Sequence, residues 1–155
     1  MKHVWKKFAS LLMVVICAFA MSACGNVKEE AFQLITDEMV ENCKTIAASS
    51  VEALASFDQA TLDGYKTNRN SFTRLAVEEW DAQTDVLGAY KSMGEATTVV
   101  DREEGEVIVK IPAEFENNAG EIEVYFNYNA DYDQMVPAYI SVKESRGKPK
   151  IGALK

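Results

Sequence analysis

From Glu29 to Ala48 the apolar residues Phe32, Ile35, Met39, Val40, Cys43, Ile46 and Ala47 recur at spacings of three and four. That period gathers them into one stripe on an amphipathic helix. Glu29 and Glu30 at its start favour the positive end of the helix dipole. Ser49 and Ser50 predict an interruption and a cap for a new segment. Val51, Leu54, Ala55 and Phe57 then indicate a short helical turn, and Asp58 to Lys66, with Leu62 and Tyr65, another. Asn68 to Asn70 is polar punctuation, after which Ser71 can cap a third helix. Phe72, Leu75, Ala76, Trp80, Leu87 and Tyr90 stand at helical spacing there, with Glu78, Glu79, Asp81 and Asp85 on the outer side. Gly88 and Gly94 are placed to loosen its end.

After Gly94 the period changes from about 3.6 to 2. Glu95 to Asp101 predicts a first strand. Val107, Val109, Ile111, Ala113 and Phe115 then alternate with polar residues, as do Ile122, Val124, Phe126 and Tyr128, and Val136, Ala138, Ile140 and Val142. The connectors Arg102 to Gly105, Asn117 to Gly120 and Ala130 to Gln134 are rich in turn formers. One apolar and one polar face per strand is the mark of a half-buried antiparallel meander. The apolar face must be covered, and the preceding helices carry matching stripes. The expected architecture is α+β: N-terminal helices packed on a four-stranded curved antiparallel sheet, over residues 29–143.

The order of helices then strands, together with Leu87-Gly88-Ala89-Tyr90-Lys91-Ser92-Met93-Gly94-Glu95 and the turn Glu114-Phe115-Glu116-Asn117, resembles a family of uncharacterised Firmicute lipoproteins. The resemblance implies a nuclear-transport-factor-2-like (cystatin-like) cone. The chain is also similar to the extracytoplasmic part of clostridial proteins related to the gamma chain of oxaloacetate decarboxylase sodium pumps. It departs from them after Ile151-Gly152-Ala153-Leu154-Lys155, where those proteins carry a membrane helix. Enzymes with such a cone, isomerase- or dehydratase-like, use a carboxylate or histidine in an apolar pocket.

The first residues read as an address. Lys2, Lys6 and Lys7 precede an apolar run from Phe8 to Met21, too short to span ~30 Å of hydrocarbon comfortably. This is the layout of a secretory signal peptide over residues 1–23. Met21-Ser22-Ala23-Cys24 resembles a lipobox, which implies cleavage before Cys24 and its acylation with diacylglycerol and palmitate-type chains. Several acyl chains make a durable anchor. Residues 24–28 are then a lipidated tether, and the expected location is the outer face of the bacterial cytoplasmic membrane.

Composition sharpens this picture. The 155 residues carry a net charge of −8. Loss of residues 1–23, with three lysines and no acid, leaves −11, and residues 24–142 alone carry −15. So acidic a domain repels phosphate backbones, and nucleic acid is not an expected partner. The basic residues Lys143, Arg146, Lys148, Lys150 and Lys155 gather at the end, and residues 144–155 are expected to form a solvated tail. His3 is the only histidine and would leave with the signal peptide, as would Cys17. Cys43 then has no intramolecular mate and reads as a buried thiol in the helix stripe.

Little chemistry is left. Glu106, Glu114, Glu121 and Glu123 fall on the polar strand face and are expected to be solvated. Glu79 and Gln83 flank Trp80, where they can face a cavity. Asp131-Tyr132-Asp133 lacks the spacing of a calcium loop. Neither metal nor cofactor is expected. Trp80, Tyr90, Phe115, Phe126 and Tyr128 are the candidate lining of a pocket for a small apolar ligand, although aromatics at such spacing are more often core. Tyr125 and Tyr139, on the opposite strand face, are candidates for a surface that binds an envelope protein. The favoured function is a non-enzymatic, membrane-anchored binding module. The alternatives are an accessory subunit of a decarboxylase-type sodium pump and a pocket enzyme using a carboxylate.

Overall fold

A computed structural model describes residues 35–67 and 71–145. The expected signal peptide, Cys24, the expected tether, the expected helix start at Glu29, residues 68–70 and residues 146–155 of the expected tail lie outside the described residues. The compact unit to which the described residues belong begins at Ile35.

Among the described residues three helices come first: α1 (Asp37–Ala55), α2 (Gln59–Asp63) and α3 (Phe72–Leu87). Thr36 caps α1 by accepting the Met39 N–H on its side-chain oxygen at 3.2 Å, satisfying one of the orphan donors of the first turn. Ser49 and Ser50 do not interrupt this helix. The Ser50 hydroxyl bonds back to the Ile46 carbonyl at 2.7 Å, which lets a small polar residue stay buried inside a helix. The short turn expected from Val51 is therefore the last part of α1. The buried stripe of α1 includes Val40, Cys43, Ala47, Val51 and Leu54. Asp58 caps α2 through the Thr61 N–H and hydroxyl. Ser71 stands at the head of α3 without a side-chain capping bond, and the helix buries Phe72, Ala76, Trp80 and Leu87.

Tyr90 does not continue α3. The helix stops at Gly88, which has φ of +83°, a conformation glycine adopts without the Cβ clash. A Cβ there would also lie 2.8 Å from the Cβ of Glu116. The chain is then clamped to a later turn, where Glu116 and Asn117 donate their N–H groups to the Ala89 and Leu87 carbonyls. Tyr90 instead opens a strand.

The strands are β1 (Tyr90–Met93), β2 (Thr97–Asp101), β3 (Glu106–Phe115), β4 (Ala119–Asn129) and β5 (Gln134–Glu144). With the helices packed on them they make the expected α+β fold, although the sheet has five strands where the alternation predicted four. All pairings are antiparallel. Both β1 and β2 pair with β3, so five segments make four lanes, in the order β1/β2, β3, β4, β5. The break between β1 and β2 has a cause in β3. Pro112 has no N–H to offer its neighbour, and only its carbonyl is used, by the Gly94 N–H at 2.7 Å.

One face of the sheet packs on the helices. Val107, Val109 and Ile111 stand opposite Phe126, Val124 and Ile122, and these in turn opposite Pro137, Ile140 and Val142. The expected alternation holds along β3 and β4. It fails on β5, where a register shift between Tyr125 and Phe126 leaves Ala138 unpaired. This bulge moves the inner positions to Met135 and Pro137 on one side of it and Ile140 and Val142 on the other. Val136, expected in phase with Ile140, lies opposite Asn127 instead, yet is fully buried as expected of an apolar position. Arg102 ties the β2–β3 turn to the head of α1 by donating to the Ile35 carbonyl at 2.6 Å.

Candidate binding face of the sheet

The five candidate pocket aromatics do not converge. Trp80, Tyr90 and Phe115 do meet, with ring centroids 5.6, 5.9 and 6.1 Å apart and tilted or edge-on planes, the geometry aromatic rings prefer. Trp80 and Phe115 are buried and Tyr90 half-buried. Gly120 makes room for the cluster, since a Cβ there would stand 2.8 Å from the Phe115 ring. Phe126 is in register with Val107 at the far end of β3, about 26 Å along the strand from Phe115. It is fully buried in the core. Tyr128 lies beyond it, donating its hydroxyl to Asp133 at 2.6 Å.

Other candidates have structural partners. Glu79 accepts the Val142 N–H at 3.2 Å on its side-chain oxygen, so this carboxylate holds the outer edge of β5. Cys43 is fully buried, and burial pushes its thiol up to about 12, far from a reactive thiolate. The Asp131–Asp133 turn is organised by Asn129, whose side-chain oxygen accepts the Asp131 N–H at 2.9 Å. No group of three or more metal-ligating side chains converges among the described residues. No helix of the described residues is long and apolar enough to cross a membrane.

The outer face of the sheet departs furthest from expectation. Glu123, expected to be solvated, is only 5% exposed. Lys110, directly opposite it in the register, donates to one carboxylate oxygen at 2.7 Å. Lys143 on β5 and the Tyr125 hydroxyl both donate to the other oxygen. Burial works against the charge on Glu123, but the bonds from Lys110, Lys143 and Tyr125 outweigh it and hold the carboxyl at about 2. The lysines are raised in turn, first by their hydrogen bonds to Glu123. Lys143 stands on the polar face of the last strand, as its alternation predicts, and the sheet runs one residue into the expected tail, through Glu144. Ser145 is tied down as well, by its N–H to the Ala119 carbonyl at 2.9 Å.

Beside this cluster runs a row of apolar and aromatic side chains, one from each lane. Val99 pairs with Ile108, Ile108 with Tyr125 and Tyr125 with Tyr139. Val99 is 48% exposed and Tyr139 43%. Ile108 and Tyr125 are half-buried between them, and the two tyrosine rings pack at 5.9 Å. The Tyr125 hydroxyl, bonded to Glu123, fixes its ring and so the middle of the row. Strand alternation places Ile108, Tyr125 and Tyr139 on the outer face, but only the register aligns them with Val99 in one row.

Leu62, Asp63, Tyr65, Lys66, Phe72 and Tyr132 border an open hollow of about 420 Å³, and Trp80 borders a dimple of about 20 Å³ beside Phe57 and Val77. The Tyr65 hydroxyl is buried with no hydrogen-bond partner among the described residues.

No family model matches the chain, no curated protein matches it significantly in sequence, and no solved structure matches it significantly in fold.

Proposed function

We propose that this chain is a membrane-anchored extracytoplasmic lipoprotein whose folded part is a non-enzymatic protein-binding module, working through the outer face of its sheet. The observation that carries the binding reading is the row Val99, Ile108, Tyr125 and Tyr139, an aromatic and aliphatic stripe on a hydrogen-bonded sheet. Tyrosines supply large contact area and lose little conformational entropy on contact, which makes them effective interface residues.

The buried carboxylate favours binding over catalysis. A general base in a cone-type enzyme needs a carboxyl poised near neutral pH in an apolar pocket. Glu123 is held far below that and saturated by two ammonium groups and a phenol. Glu79, the acid beside Trp80, is committed to the Val142 amide.

The anchor rests on the lipobox-like Met21-Ser22-Ala23-Cys24. Mass spectrometry of the mature protein should find Cys24 as an acylated N-terminal residue, and any other, unmodified N-terminus ends the lipoprotein reading. For the binding face, Tyr139 and Tyr125 of the detergent-solubilised chain should be protected from surface labelling when its partner is bound. Labelling that is unchanged at both tyrosines, with a partner demonstrably bound, moves the interface elsewhere.

A further inference from the structure

The charges around the apolar row are arranged antisymmetrically, and from this we infer that the partner on the outer sheet face is a second copy of the same chain. The inference rests on the reading of that face as an interaction surface. On β3 the outward residues include Glu106, Ile108 and Lys110, with Ile108 between an acid and a base. On β4 they include Glu123, Tyr125 and Asn127, and on β2 they are Thr97, Val99 and Asp101. In each of these lanes the middle residue belongs to the apolar row.

A two-fold axis lying along that row, in the plane of the contact, turns each lane onto its own reverse. Lys110 of one copy then stands over Glu106 of the other, and the reciprocal pair forms by symmetry. Thr97 meets Asp101, and Asn127 falls over the lysine-covered Glu123 site. No like charges are opposed in these lanes, and the apolar rows lie on each other. The arrangement is the aligned face-to-face packing that two sheets adopt. Lys110 gives one donor to Glu123 at 2.7 Å, and an ammonium has two more to offer, so the new pair does not require the existing one to break.

The size of the face sets the strength. Four lanes about 4.8 Å apart and three rows about 6.8 Å apart span roughly 400 Å² per copy, of which the Glu123 and Val136 positions are already buried, so the contact stands at the weak, transient end of specific interfaces. A reversible dimer with a dissociation constant on the order of 100 μM is expected.

The test is sedimentation equilibrium of the full chain in mild detergent, from about 10 μM to about 1 mM. Wild type should pass from monomer to dimer across this range. Glu106→Lys sets an added ammonium of each copy over Lys110 of the other and should weaken the dimer at least about tenfold, an effect that shrinks at high salt. Adding Lys110→Gln to that variant should recover part of the loss, with Lys143 still holding Glu123. Tyr139→Arg, at an exposed position, should weaken the dimer without lowering the melting temperature. A chain that stays monomeric at all concentrations overturns the proposal, and so does a dimer that ignores both Glu106→Lys and Tyr139→Arg. Capture from solubilised envelope separates the two readings. If wild type is monomeric yet captures a protein that Tyr139→Arg does not, the second copy is ruled out and the binding face stands. If it neither dimerises nor captures, both readings fall.

Discussion

Asp58 donates its backbone N–H to the carbonyl of Ala53 at 2.8 Å, closing the last turn of α1 around Phe57. With the Phe57 N–H on the Leu54 carbonyl at 3.3 Å, this is a Schellman motif, whose turning residue takes a left-handed conformation and is usually glycine. Here it is Phe57, with φ of +58° and 81% of its surface exposed. The ring gains little from burial while its Cβ is crowded. Phe57→Gly should therefore raise stability by about 0.5–1 kcal/mol, read as a higher denaturant midpoint with unchanged slope. A lower midpoint would mean that the ring packs on something that offsets its strain.

Acid should weaken the fold through Glu123. Its carboxyl ionises at about 2 in the folded chain against 4.5 ordinarily. A depressed folded value contributes stability that is complete above the unfolded value and is lost as pH falls from about 5 toward 2. The difference corresponds to about 3 kcal/mol. Glu123→Gln should be destabilised at pH 7, since it strands two lysines, and its deficit against wild type should shrink steadily on acidification. Urea melts of both proteins at several values between about pH 7 and 2.5 measure this; a constant deficit would show that Glu123 is not the titrating group.

The edge of β5 depends on the Glu79 carboxylate. Glu79→Ala should cost about 1–2 kcal/mol by leaving the Val142 N–H without its acceptor, whereas Glu79→Gln, which keeps an amide oxygen, should cost less. Amide exchange at Val142 is the direct readout, expected to quicken in the alanine variant and to stay near wild type in the glutamine variant. Equal exchange in all three proteins would detach Glu79 from this role.

Gly120→Ala should disturb the aromatic cluster. The added methyl would press on the Phe115 ring and on the Lys143 carbonyl, 3.1 Å away, and overpacking of this kind typically costs about 1–3 kcal/mol. The Trp80 fluorescence maximum should shift with it, because Phe115 packs on the indole. An unmoved spectrum would place the strain elsewhere.

Cys43 should resist thiol reagents in the folded chain and react on unfolding. Its side chain is fully buried and its thiol raised to about 12, so labelling should report the unfolded fraction rather than a native reactivity. Rapid labelling under native conditions would contradict the burial.

Periodicity carries most of the architecture, because it reports which side of an element meets the core. The stripe of α3, the stripe of α1 from Met39 onward and the alternation of β3 and β4 stand where the spacing predicts them, whereas Ile35, expected inside the first helix, precedes the Thr36 cap. Features that depend on contacts between distant residues are hidden. Ser49 and Ser50 look like a break because serine competes for backbone hydrogen bonds, yet Ser50 satisfies itself within the helix. Tyr90 keeps helical phase with Leu87 only until Gly88 turns the chain away. The bulge at Ala138 leaves no local mark. Least visible is the Glu123 cluster, in which side chains from three strands converge only once the register is set. Its one trace in the sequence is a lysine and a glutamate at outward positions of neighbouring strands, Lys110 and Glu123, which a hairpin between residues 106 and 129 brings opposite each other.

The interruption between β1 and β2 matters at this end of the sheet. An open strand edge invites cross-β growth when it is long and regular. Here Pro112 forces the outermost lane to come apart between Met93 and Thr97, leaving pieces of four and five residues. Neither piece is long enough to template a fibril. A proline in an inner strand thereby protects, at one remove, a border it does not itself form.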